Sequence, residues 1–208
     1  QIGVTPKVQI VDGQQRLTTF QLFLAALREV AKTHGHNDVA AHVGGYLFNN
    51  LKTKDTDKLT RFKLTPTPSD QKVFHDIMDK DYRAIRTQYA ANYWGRSVPK
   101  NTPFRALRAY DEFYQLINRF AQFGSAEMMV DDDTPDAVDT IADETDTTEA
   151  IGTRLEAMLT AVLNRMKLVV ITLGEGDDAQ VIFETLNSKG EPLLAMDLVR
   201  NNIFYRAE

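Results

Sequence analysis

One junction constrains the fold more than any other feature. The stretch VQIVDGQQRLTTFQLF, residues 8 to 23, passes from a strand-like run into a helix with no room for a loop. Val8–Val11 reads as a short buried strand, and Leu17, Phe20, Leu24, Leu27 and Ala31 then recur at three- and four-residue spacing. That spacing predicts one apolar stripe on a helix ending near Thr33-His34-Gly35, with Gly35 as its stop. The helix opens oddly, on two glutamines and Arg16, with no acid in the first turn. The amino end of a helix dipole is positive, which disfavours a cation there by roughly 0.3–1 kcal/mol.

Further helices are expected over Asp38–Leu51, from Ser69 to about Lys80, over Tyr82–Tyr93 and Phe104–Phe123, near Ile151–Asn164, around Asp178–Leu186, and from Ala195 to Tyr205. Strands are expected at Val8–Val11, at Arg61–Leu64 and, most strongly, at Lys167–Leu173, where Val169 to Thr172 are all β-branched. The expected fold class is therefore α+β and predominantly helical, with a small sheet drawn from the strands near both ends. At 208 residues, 43% apolar and 25% charged, the chain can bury one substantial core. No run approaches the ~18 apolar residues of a membrane span, so no membrane partner is expected. The absence of cysteine excludes disulfides, thiolate catalysis and Cys-ligated zinc, and is compatible with a cytoplasmic home. The first residue is Gln1 and not Met, which suggests a piece of a longer protein.

The net charge of −5 is unevenly spread. Residues 125–153 hold ten acids and no Lys or Arg, which leaves 19 acids against 24 bases elsewhere. The body is thus mildly basic, and the insert reads as a solvated, flexible loop. From Lys80 to Arg119 the bases Lys80, Arg83, Arg86, Arg96, Lys100, Arg105, Arg108 and Arg119 outnumber three acids, with Tyr82, Tyr89, Tyr93, Trp94 and Phe104 interleaved. Cations neutralise phosphates and aromatics stack on unpaired bases, so this stretch is a candidate DNA-facing surface. A solvated helix pair with its aromatics in the core fits the same pattern.

Two polar segments stand out from a chain otherwise patterned for core. In the first, Asp12 can cap the helix with Gln15 and be neutralised by Arg16. Alternatively Gly13 admits close backbone approach, and the first-turn amides, the carboxamides and Arg16 converge on an anion such as phosphate. The second is FETLNSKGEPLLAMDLVRNN, residues 183 to 202. Asn187-Ser188-Lys189-Gly190 interrupts two helices there, and Asp197, Arg200 and Asn201 share a face of the second. A plain helical hairpin with an ordinary salt bridge accounts for it equally well. The segment from Gly174 to Ala179 fits G-x-G-x-x-A, yet Glu175, Asp177 and Asp178 would face a pyrophosphate with negative charge.

IVDGQQRLTT followed far downstream by FETLNSKGEPL and MDLVRNNIF resembles the N-terminal domain of GmrSD-type restriction endonucleases, a ParB-like family marked by DGQQR. The resemblance rests on about thirty-five residues. It implies that residues 1–208 form a single ParB-like domain whose sheet is small, with 125–153 as an insert. It implies a site for a nucleoside triphosphate of unspecified base, with Mg²⁺, and DNA as partner. On that reading Asp12, Gln14, Gln15 and Arg16 carry the chemistry. Gly13, Thr18, Asn187, Ser188, Lys189, Gly190, Asp197 and Arg200 bind nucleotide, and Asp12 holds the metal or caps the helix. Arg83, Arg86, Arg96, Lys100, Arg105 and Arg108 are the expected DNA contacts.

Hydrolysis would then gate cleavage of foreign or modified DNA by an HNH-type nuclease domain that family members commonly carry C-terminally. No HNH-like motif occurs here, the family's Pro–Gln–Arg segment does not precede Val8, and Ala195 stands where Ser or Thr is common. A non-hydrolysing, nucleotide-gated DNA clamp and an interaction module are the alternatives, and self-association is left open.

Overall fold

The computed structural model describes residues 5–51, 58–90, 102–124, 147–174, 176–178 and 181–182. Two compact units divide the chain, the first comprising Gln1–Lys7 and Gln15–Met166, the second Val8–Gln14 and Lys167–Glu208.

The first unit is built from helices, and each starts or stops where local chemistry requires. Helix α1 (Gln14–Thr33) ends at Gly35, whose φ of 82° is left-handed. His36 N donates to Ala31 O at 2.8 Å and Gly35 N to Lys32 O at 3.0 Å, the two bonds of a Schellman ending. Helix α2 (Asn37–Leu47) follows at once. After a short 3₁₀ turn at Lys58–Arg61, helix α3 (Pro68–Asp79) opens on Pro68, whose missing N–H costs nothing in a first turn. The Asp81 carboxylate caps helix α4 (Tyr82–Gln88) by accepting from Ala84 N at 2.7 Å. Helix α5 (Thr102–Phe123) is the longest among the described residues, and helix α6 (Thr148–Arg165) is capped by Thr147. The Arg154 guanidinium of α6 donates to Ala121 O at 2.9 Å and Gln122 O at 3.1 Å, satisfying the last carbonyls of α5.

Helix α1 is the most deeply buried of these helices. Between Leu22 and Ala31 every residue but Phe23 is buried, so the helix has no solvent face over that stretch. Phe23 itself meets Phe113 of α5 edge to face, with ring centroids 5.6 Å apart. The same buried cluster takes in Val39 and Val43 of α2, Phe74, Ile77 and Met78 of α3, and Leu155 and Leu159 of α6. Helix α5 contributes Leu107, Tyr110, Tyr114, Ile117 and Ala121, again at three- and four-residue spacing. Each large side chain so buried contributes about 1.5–3 kcal/mol. Two charges lie in this core. Arg28 donates to Met78 O at 2.6 Å and pairs with Glu29 at 3.1 Å, while Lys32 reaches Glu29 from outside at 2.9 Å.

The expected sheet is absent from the described residues: one isolated antiparallel bridge, Phe48 with Phe62, is the whole of the β-pairing there. It clips the chain between α2 and α3 through Asn49 N to Arg61 O (2.7 Å) and Lys63 N to Leu47 O (3.0 Å). Arg61 lies over the Phe48 ring at 4.8 Å and pairs with Asp79 at 2.7 Å, and His75 stacks on Phe62 with centroids 4.0 Å apart. The expected strand at Arg61–Leu64 is thus reduced to the single bridge residue Phe62.

In the second unit neither Val8–Val11 nor Lys167–Leu173 has strand structure, and Val8 and Val169 are 87% and 88% exposed. β-Branching suits a pleated chain, but a ladder also needs a neighbouring backbone in register, and the described residues provide none. The fold is therefore all-helical over the described residues, in place of α+β. No helix among them is long and apolar enough to cross a membrane.

Candidate functional site

The first polar segment opens helix α1. Gly13 has a φ of 87°, a left-handed conformation that glycine adopts without the steric cost a Cβ brings. Because the helix starts at Gln14, the residue just before it is Gly13, one position later than the Asp12–Gln15 capping pair requires. Gln14 Nε2 folds back onto Ile10 O at 2.9 Å. The first turn of α1 contains no acid, and Gln15 and Arg16 are exposed on it. Asp12 and Gln14 are exposed as well, and Gly13, Leu17 and Thr18 half-buried. Asp12, Gln14, Arg16 and Thr18 each make a further contact, so none of them is idle. The second segment, with Asn187, Ser188, Lys189, Gly190, Asp197 and Arg200, lies outside the described residues.

The glycine-rich segment from Gly174 proves to be occupied by its own acids. Asp177 accepts from Gly174 N at 2.7 Å, and Asp178 caps the turn after it by accepting from Val181 N at 3.2 Å. Carboxylates so used fill the amides a pyrophosphate would need, which agrees with the charge argument against a dinucleotide site.

The basic stretch divides into committed and uncommitted members. Arg86 pairs with Asp111 at 3.2 Å, and Lys80 with Asp76 at 2.9 Å. Tyr82 stacks on Tyr114 with centroids 3.6 Å apart, donates its hydroxyl to Asp111 and accepts from Gln115 Nε2 at 2.9 Å. Burial, and then the Asp111 hydrogen bond, push that phenol well above its ordinary range. Tyr89 donates to Asp76 at 2.6 Å, and burial and that carboxylate raise it too. Burial works to raise Asp76, but hydrogen bonds from Tyr89, Lys80, Lys72 and Gln88 outweigh it and hold the carboxyl far below its usual range. These aromatics tie α3, α4 and α5 together and offer no open ring. Arg83, Arg105, Arg108 and Arg119 are exposed, while Arg96 and Lys100 lie outside the described residues.

Two features were not expected. A cleft of roughly 350 Å³ lies between α2 and α6, where Asp38, His42, Glu156 and Thr160 rim Leu159 and Leu163. The i,i+4 spacing of each polar pair is readable, but the meeting of α2 with α6 is not local information. His34 and His36 are half-buried and engaged: His34 bonds Asn118 at 2.7 Å, and His36 packs against Gly152. Among the described residues no three His, Cys, Asp or Glu side chains group so as to hold a metal ion.

Among the described residues the fold is helical, and its most deeply buried helix, α1, opens on a left-handed glycine and a first turn that bears Arg16 and no acid. The chain's family follows from comparison. The family model described as GmrSD restriction endonuclease, N-terminal domain, matches residues 2–204, nearly the whole chain, and the chain belongs to that family. No curated protein and no solved structure matches it.

Proposed function

We propose that the chain is a nucleotide-binding and nucleotide-hydrolysing regulatory domain of a restriction endonuclease, gating cleavage of foreign or modified DNA by a nuclease domain elsewhere in that enzyme. The observation that carries the reading is the start of α1: a left-handed Gly13 followed by an exposed first turn that bears Arg16 and no acid. An arginine at the positive end of a helix is unfavourable alone and favourable once an anion lies between it and the amides. A nucleoside triphosphate is such an anion, and it is the ligand we assign to this helix start.

In this reading Gly13 lets the backbone approach the phosphates, and Arg16, with Lys189, neutralises their charge. In the same reading Ser188 and Gly190 join Gly13 in shaping the phosphate loop, and Thr18, Asn187, Asp197 and Arg200 are nucleotide-binding residues. Gln14 or Gln15 orients the attacking water. One carboxylate suits Mg²⁺, which commonly takes one or two protein carboxylates plus substrate phosphates, so Asp12 fits as its ligand. The metal's chemistry is the screening of phosphate charge.

The test is NTP binding and turnover by the purified protein, with Mg²⁺ and each NTP in turn, for wild type and Arg16→Ala. Arg16→Ala is expected to abolish turnover and weaken binding while the fold stays intact, as read by circular dichroism. Unfolding of the variant, with normal kinetics in its folded fraction, would make Arg16 structural. Binding by wild type without turnover would favour a nucleotide-gated clamp.

A further inference from the structure

Helix α5 presents a face that the core does not use. Arg105, Arg108, Glu112, Gln115, Leu116 and Arg119 are all exposed, and at 100° per residue they fall within about a third of the helix circumference. The opposite side carries Leu107, Tyr110, Tyr114, Ile117 and Ala121 into the core. Among the described residues the guanidinium groups of Arg105, Arg108 and Arg119 have no carboxylate or hydrogen-bond partner. Glu112 is the single acid among them and offsets one of the three charges. At a rise of about 1.5 Å per residue the row spans ~21 Å, which exceeds a major groove of about 12 Å.

From this arrangement we infer that the exposed face of α5 is a phosphate-contact surface for duplex DNA, read through Arg105, Arg108 and Arg119 without base stacking. The inference rests on the proposed role in a DNA-acting enzyme. It narrows the expected basic stretch in two ways. Arg86 is withdrawn by Asp111, and Arg119 is added. The stacking mode suited to single strands needs open aromatic faces, and in the described part of the stretch these are spent. Tyr82 lies flat on Tyr114, Tyr89 is held by Asp76 with Lys72 over its ring, and Tyr110 and Tyr114 are buried. What remains is a line of cations on a rigid helix, which follows a regular phosphate backbone better than a pliable one. Phosphate contacts of this kind position a protein on DNA and carry no sequence information.

The experiment compares wild type with Arg105→Gln/Arg108→Gln/Arg119→Gln by fluorescence anisotropy, using a 30-base-pair duplex and the matching single strand over a salt series. Circular dichroism checks the fold, and NTP turnover is followed in parallel. Wild type is expected to bind duplex more tightly than single strand. The triple variant should lose at least about ten-fold in duplex affinity at 0.1 M salt, with a log–log salt slope shallower by ~0.9 per phosphate contact removed. Unchanged affinity and slope in a folded variant would overturn the inference, as would preference for the single strand. Displacement of the duplex by poly-glutamate as readily as by unlabelled duplex would assign the face to an acidic protein and overturn it too. Turnover intact in any of these failures leaves the nucleotide reading standing, whereas absent turnover with Arg-dependent duplex binding fails that reading alone.

Discussion

His75 illustrates how one residue couples packing to pH. Its ring lies flat on Phe62, 9° from parallel, and Nε2 is buried without a hydrogen-bond partner among the described residues. Burial pushes the imidazole below its ordinary 6.5, and Asp79 and Asp76 only partly counter this. The unfolded chain therefore takes up a proton at a pH where the folded one does not. The resulting stability is complete above pH 6.5 and drains away as pH falls from there towards the folded value. Urea titrations between pH 7.5 and 5 should show stability falling with pH, and His75→Phe, which keeps the stack and removes the proton site, should flatten that fall. An equal fall in the variant would exclude His75 as its source. None of this was legible in the sequence, where His75 is one polar residue on a helix and its partner Phe62 is thirteen residues away across a turn.

At the scale of elements, helices were legible and sheet was not, for a physical reason. A helix closes its hydrogen bonds within four residues, so the spacing of Leu107, Tyr110, Tyr114, Ile117 and Ala121 is a local signal that packing then confirms. A strand needs another backbone, and the β-branched run at 169–172 cannot name one. Helix α1 shows the limit of periodicity. Leu24, Leu27 and Ala31 are buried as the stripe predicts, but the pattern gives no hint that the charges of Arg28, at the edge of that stripe, and Glu29, off it, are buried too, at 4% and 3% exposure. Arg28 is tolerated because it meets Glu29 and Met78 O. Arg28→Met should cost about 2–4 kcal/mol in chemical denaturation, since it leaves Glu29 buried with only Lys32 beside it. Arg28→Met/Glu29→Leu should recover much of that loss, because a paired apolar replacement leaves no charge to compensate. A double variant no more stable than the single one would show that packing, not charge, sets the cost.

For the whole molecule, the family was legible where its signature is written in consecutive residues, and what depends on assembly was hidden. DGQQR announces itself by an arginine in the wrong end of a dipole, and the family match over residues 2–204 agrees with the resemblance drawn from it. The committed and uncommitted bases of the basic stretch could not be told apart until Asp111 was placed beside Arg86 and Asp76 beside Lys80. The central claim is that the start of α1 receives the phosphates of a nucleotide. Hydrogen exchange of the purified protein, with and without saturating NTP and Mg²⁺, tests it most directly. The account predicts that the amides of Gln14 to Leu17 slow on nucleotide addition, and that Arg16→Ala removes this protection while the exchange of Leu24 to Ala31 is unchanged. Nucleotide turnover accompanied by protection elsewhere, with the first turn of α1 exchanging as before, would contradict it.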